Sequence, residues 1–278
     1  MTFSIVARVG DAYGVAVASK FPAVGAMVPA ARVGVGAVAT QSFARISYKE
    51  DGLALLAQGH DAAETVRRLT STDEHAAERQ VGVVGVDSQA EATFTGGSCM
   101  DWAGGVAGGD DESGYAIQGN ILAGAEVVDA MERAWLTTAG APLPRRLLAA
   151  LLAGDAAGGD RRGRQGAALI AVQAGTGYDH AGVLADLRVD DHPEAPRELG
   201  RLLDLHELVS GPPEDVAPLV GDLAAEVAER LTRLGHPATA DDAERALEAW
   251  AGVENYEMRL APGGIDARVL RALREATA

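Results

Sequence analysis

A chain of 278 residues with 47% hydrophobic content can fill one substantial core and a small second one, and its formal net charge of -16 argues against a nucleic-acid partner, whose phosphates are held by clustered Lys and Arg. The single cysteine, Cys99, cannot close an internal disulfide, so nothing points to an oxidising compartment. The opening residues lack the positive charges and long apolar core of a secretory signal, and there is no uncharged run of about 18 apolar residues to span a membrane, which makes the cytoplasm the expected location.

The first nineteen residues read as a β-hairpin, with alternation over 2–8, turn chemistry over 10–14 and alternation again over 15–19. A turn centred between Asp11 and Ala12 would pair residue i with 23 − i, setting Lys20 and Phe21 beside Thr2 and Phe3. A glycine-rich apolar strand is expected over 33–39, helices over 50–58 and 62–70, and strands over 81–86 and 91–95. Further strands are expected over 115–118 and 168–172, with helices over 125–137 and 143–152 between them. This segregated order suits an α+β fold, antiparallel sheet packed under helices, better than a βαβ crossover fold.

Beyond His192-Pro193 everything reads as helix, over 198–208, 216–234, 240–251 and 265–276, with a stop at Gly235-His236-Pro237 and a start at Thr239. A boundary at Ser210-Gly211-Pro212-Pro213 divides the chain into 1–209 and a small all-α domain over 210–278.

A strand that begins at residue 2 holds its first side chain at a strand end, where an ordinary terminus would fray. Methionine aminopeptidase removes Met1 before a small residue, leaving Thr2 as a free amino-terminal threonine. Its hydroxyl is then a nucleophile and its own α-amino group, with a reference pKa near 8, the base. The alternative is a β-prone residue that merely opens a strand. Lys20 and Lys49 are the only lysines beside 22 arginines, so a lysine placed by the hairpin near Thr2 suits a compact ammonium that tunes a neighbour's pKa. Asn120, at the end of a strand, is the candidate donor to an oxyanion.

The densest polar cluster runs from Gly158 to Gln165. There Asp160 pairs with arginines and orders the loop, while Arg161 or Arg164, with Gln165 beside them, meets a substrate carboxylate. A solvated basic loop is the alternative. Asp190-Asp191-His192 is a poor metal site because three consecutive side chains do not converge easily, and neither a metal nor a cofactor is expected.

The segments TFSIVAR, GVAVASKFPAVGAMVP, GAVATQ, RQVGVV, GYAIQGNILAG, GDRRGRQ and DLRVDDHPEA, in that order, resemble the DUF1028 family of the Ntn-hydrolase superfamily over residues 1 to about 200. The resemblance implies a four-layer αββα sandwich and hydrolysis of an amide through an acyl-enzyme on Thr2, with Lys20 near the nucleophile and Asn120 in the oxyanion hole. One departure is Gly166, where the family usually carries serine. Residues from about 205 onward are similar to a peptidoglycan-binding-like domain, in which Trp250 and Tyr256 form either a binding platform or the anchors of a helical core. The expected protein is an amidohydrolase acting on a small anionic amide, with no nucleic-acid or membrane partner, assembled as a homo-oligomer. Its rivals are a non-catalytic binder of an anionic ligand and a structural oligomer.

Overall fold

A computed structural model describes residues 2–86 and 91–278. Met1, whose removal the sequence leads one to expect, lies outside the described residues. The opening hairpin consists of β1 (Thr2–Val9) and β2 (Ala12–Ser19), paired as 21 − i, so that Ser19 stands opposite Thr2. The expected 23 − i register is therefore corrected by two residues. Gly10 takes φ 55°, which lets Gly10-Asp11 reverse the chain alone and tightens the turn. A two-residue slip leaves every side chain on its expected face but exchanges what stands across from Thr2.

The chain continues through α1 (Val24–Met27), β3 (Pro29–Arg32), β4 (Gly36–Ser42), α2 (Tyr48–Ala57), α3 (Ala62–Ser71), β5 (Arg79–Val84), β6 (Glu91–Thr95), β7 (Gly104–Gly109) and β8 (Ser113–Asn120). Then follow α4 (Glu126–Thr137), α5 (Leu143–Ala156), β9 (Gly166–Val172), β10 (Val183–Val189) and α6 (Ala195–Ser210). The strand expected over 33–39 is thus cut by a turn at its start, where Gly34 has φ 68°, and runs on instead to Ser42.

The strands form two sheets, in the orders β10-β9-β2-β1-β8-β7 and β3-β4-β5-β6, and every pairing in them is antiparallel among the described residues. Strand alternation assigns each face its core. Phe3, Ile5, Ile117 and Leu169 pack with Met131, Leu147 and Leu199 of α4, α5 and α6. From the opposite faces of β1 and β2, Val6, Val15 and Val17 pack with Ala37 and Ala39 of β4. Val38, Val81 and Val83 point the other way and meet Leu53, Val66 and Leu69 of α2 and α3.

The chain divides into two compact units, one ending at Leu203 and the other covering Asp204–Ala278. The second contains α7 (Gly221–Arg233), α8 (Ala243–Glu254) and α9 (Ala267–Ala276), with β11 (Ala217–Pro218) and β12 (Gly264–Ile265) as a two-residue ribbon. Trp250 is buried with Val227, Leu231 and Leu273, and Tyr256 meets its ring edge-on at 5.5 Å, so these aromatics anchor the helical core. The unit's polar centre is Arg259. Its guanidinium is fully buried, donates to the carbonyls of Glu207, Leu208 and Pro212, and pairs with Asp266 at 2.8 Å. Asp266 also caps α9 by accepting from the backbone of Arg268 and Val269. Among the described residues no helix is long and apolar enough to cross a membrane.

Replacing Asp266 by Ala removes the cap and strands a buried cation, so Asp266→Ala is expected to destabilise the second unit by about 3–5 kcal/mol. Amide hydrogen exchange across α8 and α9 measures this; unchanged protection there would show that the pair holds nothing.

Candidate active site

Thr2 opens β1, an inner strand of its sheet, and is hemmed in on both sides: Ser19 of β2 and Asn120 of β8 are its register partners. Its side chain is buried, with Oγ1 3.1 Å from Ser19 Oγ. The Thr2 carbonyl accepts from Gln41 Nε2 at 3.3 Å. A terminus held by two strands and a side chain has little freedom to fray.

Behind Thr2 a buried set of carboxamides joins the two sheets. Gln80 Nε2 donates to the carbonyls of Gly119 at 2.7 Å and Gly104 at 3.3 Å and to Thr95 Oγ1 at 2.9 Å. Those carbonyls can only accept, which forces Gln80 Oε1 to face donors, and it accepts from Gln41 Nε2 at 2.8 Å and Asn120 Nδ2 at 3.0 Å. Asn120 must then present its nitrogen, which carries a second hydrogen. Gln41 Oε1 accepts from Ser4 Oγ, which accepts from Gln118 Nε2, both at 2.7 Å. Ser4, Gln41, Gln80, Gln118 and Asn120 are each at most 1% exposed. Gly82 makes room for this layer: a Cβ there would lie 2.2 Å from Gln118 Oε1. None of the three glutamines is singled out by the sequence reading, although a lone Gln inside the apolar runs GAVATQS, RQVGVV and GYAIQGN is the available signal.

The open side of Thr2 faces a cavity of about 490 Å³, whose polar lining includes Ser19, Gln41, Asn120, Arg79 and Arg162. Two of its wall residues, Ser42 and Ile121, have φ of 68° and 51°, a region that a β-branched Ile occupies only under constraint. Arg79 is committed to Asp73 at 2.9 Å and to the Phe43 carbonyl at 2.5 Å, and its guanidinium holds the Asp73 carboxyl well below the usual carboxylate range. Arg162, half exposed, pairs with Asp160 at 3.3 Å.

The remaining expected site residues lie elsewhere. Asp160 is buried, and its carboxylate accepts from the backbone N–H of Lys20 at 2.7 Å and of Arg162 at 2.9 Å, pinning the loop to the end of β2. The shorter turn moves Lys20 past Thr2, and its exposed ammonium donates to the Arg164 carbonyl at 3.3 Å rather than lining the Thr2 cavity. Gly163, at φ 105°, turns the loop between Arg162 and Arg164. Arg161 and Arg164 line a separate cavity of about 510 Å³, and Arg164 is held there by Asp155 at 2.6 Å and Glu194 at 3.2 Å. Of the three loop arginines, it is Arg162, between them in sequence, that lines Thr2's cavity. Gln165 donates to Asp191 at 3.2 Å, and His192 Nδ1 accepts from the Glu194 N–H at 3.1 Å. No three His, Cys, Asp or Glu side chains among the described residues are grouped to hold a metal.

The family model described as "Family of unknown function (DUF1028)" matches residues 2–199, and the chain belongs to that family. A second model, "Putative peptidoglycan binding domain", matches residues 208–273. The chain is similar to the crystal structure of protein SPO2555 from Silicibacter pomeroyi, also of DUF1028, with 28% identity and a TM-score of 0.65 over 80% of this chain and 91% of that one. No curated protein matches it.

The substitution Gln80→Leu keeps the volume but removes the side-chain partner of the Gly119 carbonyl and of Asn120 Nδ2 and the shortest hydrogen bond of Gln41 Nε2. It is expected to lower the unfolding free energy by about 1–3 kcal/mol for the buried groups left unsatisfied. Urea denaturation measures the loss, and a wild-type midpoint would mean that the layer is not what joins the sheets.

Proposed function

We propose that this DUF1028 protein is an Ntn-type amidohydrolase that works from the cytoplasm on a small anionic amide, with Thr2, uncovered by loss of Met1, as nucleophile and base. The observation that carries the reading is the position of Thr2: the first residue of an inner strand, its hydroxyl beside Ser19 and its flank against Asn120, at the wall of a 490 Å³ cavity. The packing order supports it as well. α4–α6, the β1 sheet, the β4 sheet and α2–α3 cover one another in sequence, which agrees with an αββα sandwich.

In this mechanism the Thr2 α-amine takes the proton from Oγ1 as Oγ1 bonds to the amide carbon. The carbonyl π pair moves to oxygen, where the second hydrogen of Asn120 Nδ2 and its fixed dipole stabilise the charge. Collapse breaks the C–N bond, and the leaving amine takes the proton held on the Thr2 nitrogen. Water then attacks the Thr2 ester and gives its proton to the same amine; collapse breaks the bond between Oγ1 and the acyl carbon, Oγ1 takes that proton back, and the acid is released. Ser19 positions Oγ1 through its 3.1 Å hydrogen bond, Gln80 sets the orientation of Asn120, and Arg162 meets the substrate's negative charge. Lys20 has no part in the chemistry here; its backbone N–H holds Asp160.

Mass spectrometry of the purified protein with a β-lactone probe tests the proposal. Wild type is expected to lack Met1 and gain one acyl adduct on Thr2, with the rate rising with pH towards about 8 as the amine loses its proton. Thr2→Ala should gain none. A Met1-bearing wild type, or equal labelling of both proteins, would leave a ligand-binding protein in place of an enzyme.

A further inference from the structure

The exposed apolar side chains of the first unit are unevenly distributed. Phe21, Met27, Phe43, Ile46 and Met100, each 39–59% exposed, all line the cavity that holds Thr2. They make up five of the fifteen large apolar side chains left exposed among the described residues. Scattered single apolar residues on a surface need no explanation, but a cluster around one cavity marks a place where an apolar group is received.

This rim is built rather than loose. Phe43 donates its N–H to the Glu78 carbonyl at 3.2 Å while its own carbonyl accepts from Arg79, whose guanidinium is fixed on Asp73. The Met100 carbonyl accepts from the N–H of Ile121 at 2.9 Å, next to Asn120. Three separate connections, after β2, after β4 and before β7, bring these side chains to one mouth. The same cavity carries Arg162, half exposed on the Asp160 carboxylate, so a guanidinium and an apolar surface border one space. A small polar amide would fill little of 490 Å³ and leave the rim in water.

We infer that the ligand of this cavity is a two-ended amide, with an aromatic or branched aliphatic group on one side of the amide bond, seated against Phe21, Phe43, Ile46 and the two methionines, and a carboxylate on the other, met by Arg162. This rests on the amidohydrolase reading for the fate of the ligand but not for its binding.

Calorimetry on Thr2→Ala, which binds without cleaving, separates the two. N-phenylacetylglycine and its reversed counterpart N-phenylsuccinamic acid present both ends, N-acetylglycine lacks the ring, and phenylacetamide lacks the carboxylate. At least one two-ended amide is expected to bind about tenfold or more tighter than either single-ended probe, in line with burial of one ring. Adding Phe43→Ser or Met100→Ser should erase the advantage over N-acetylglycine, and Arg162→Gln the advantage over phenylacetamide. Equal affinities, or no binding of any probe, overturn the inference. So does a Phe43→Ser variant that keeps its affinity but changes its sedimentation coefficient, because the rim would then be a contact with a second copy of the chain. Tight two-ended binding by a wild type that never cleaves the amide sustains the inference and removes the hydrolase reading instead.

Discussion

One carboxamide constrains the end of the first unit that holds Thr2. Gln80 has no latitude: two backbone carbonyls and a hydroxyl claim its nitrogen, and its oxygen is left for Gln41 and Asn120. Buried amides are expensive to leave unpaired, so the network has a single low-energy arrangement, and that arrangement fixes which atom Asn120 shows to the cavity. An apolar residue at position 80 could fill the same space, but it could not specify the orientation of a neighbour. The polar layer reaches from Ser4 through Gln118 to Thr93, so the strand that begins at Thr2 is fastened at its start, through Thr2 and Ser4, to the second sheet.

The parts of this arrangement that were legible in the sequence are the periodic ones. Alternation over the first nineteen residues located the hairpin and the face of each residue, because a register error of two residues leaves the faces unchanged. It could not locate the partner of Thr2, which depends on whether Gly10 or Ala12 begins the reversal, and only the left-handed backbone at Gly10 decides that. β7 was not anticipated because Gly-Gly-Val-Ala-Gly-Gly carries almost no side-chain pattern and is recognised as a strand only through its partner β8. β10, at the edge of the sheet, was not anticipated either, although Ala185, Leu187 and Val189 alternate with the exposed Asp186 and Arg188 as a half-buried strand should.

The loop of arginines shows a further limit. Composition indicates that the segment from Gly158 to Gln165 is basic and flexible, and it fits a carboxylate that orders it. Which of Arg161, Arg162 and Arg164 faces Thr2 depends on one left-handed glycine at 163 and on two acids, Asp155 and Glu194, that are adjacent only after folding. The glutamines escape notice for a related reason, since a single polar residue in a buried strand acquires meaning only when its counterparts on other strands are known.

Ile121 has a consequence for how this site could drift. It follows Asn120 directly, and its backbone occupies a region where a β-branched residue carries roughly 1–3 kcal/mol of strain. Glycine would relieve that strain but forfeit the burial of the Ile121 side chain, which is only 7% exposed, and would loosen the backbone beside Asn120. The Ile121 backbone is itself tied on both sides, its N–H donating to the Met100 carbonyl and its carbonyl accepting from the Arg161 N–H. A bulky residue at 121 therefore keeps both the packing and the tension that hold the wall rigid, and selection for robustness and for a fixed wall pull in the same direction.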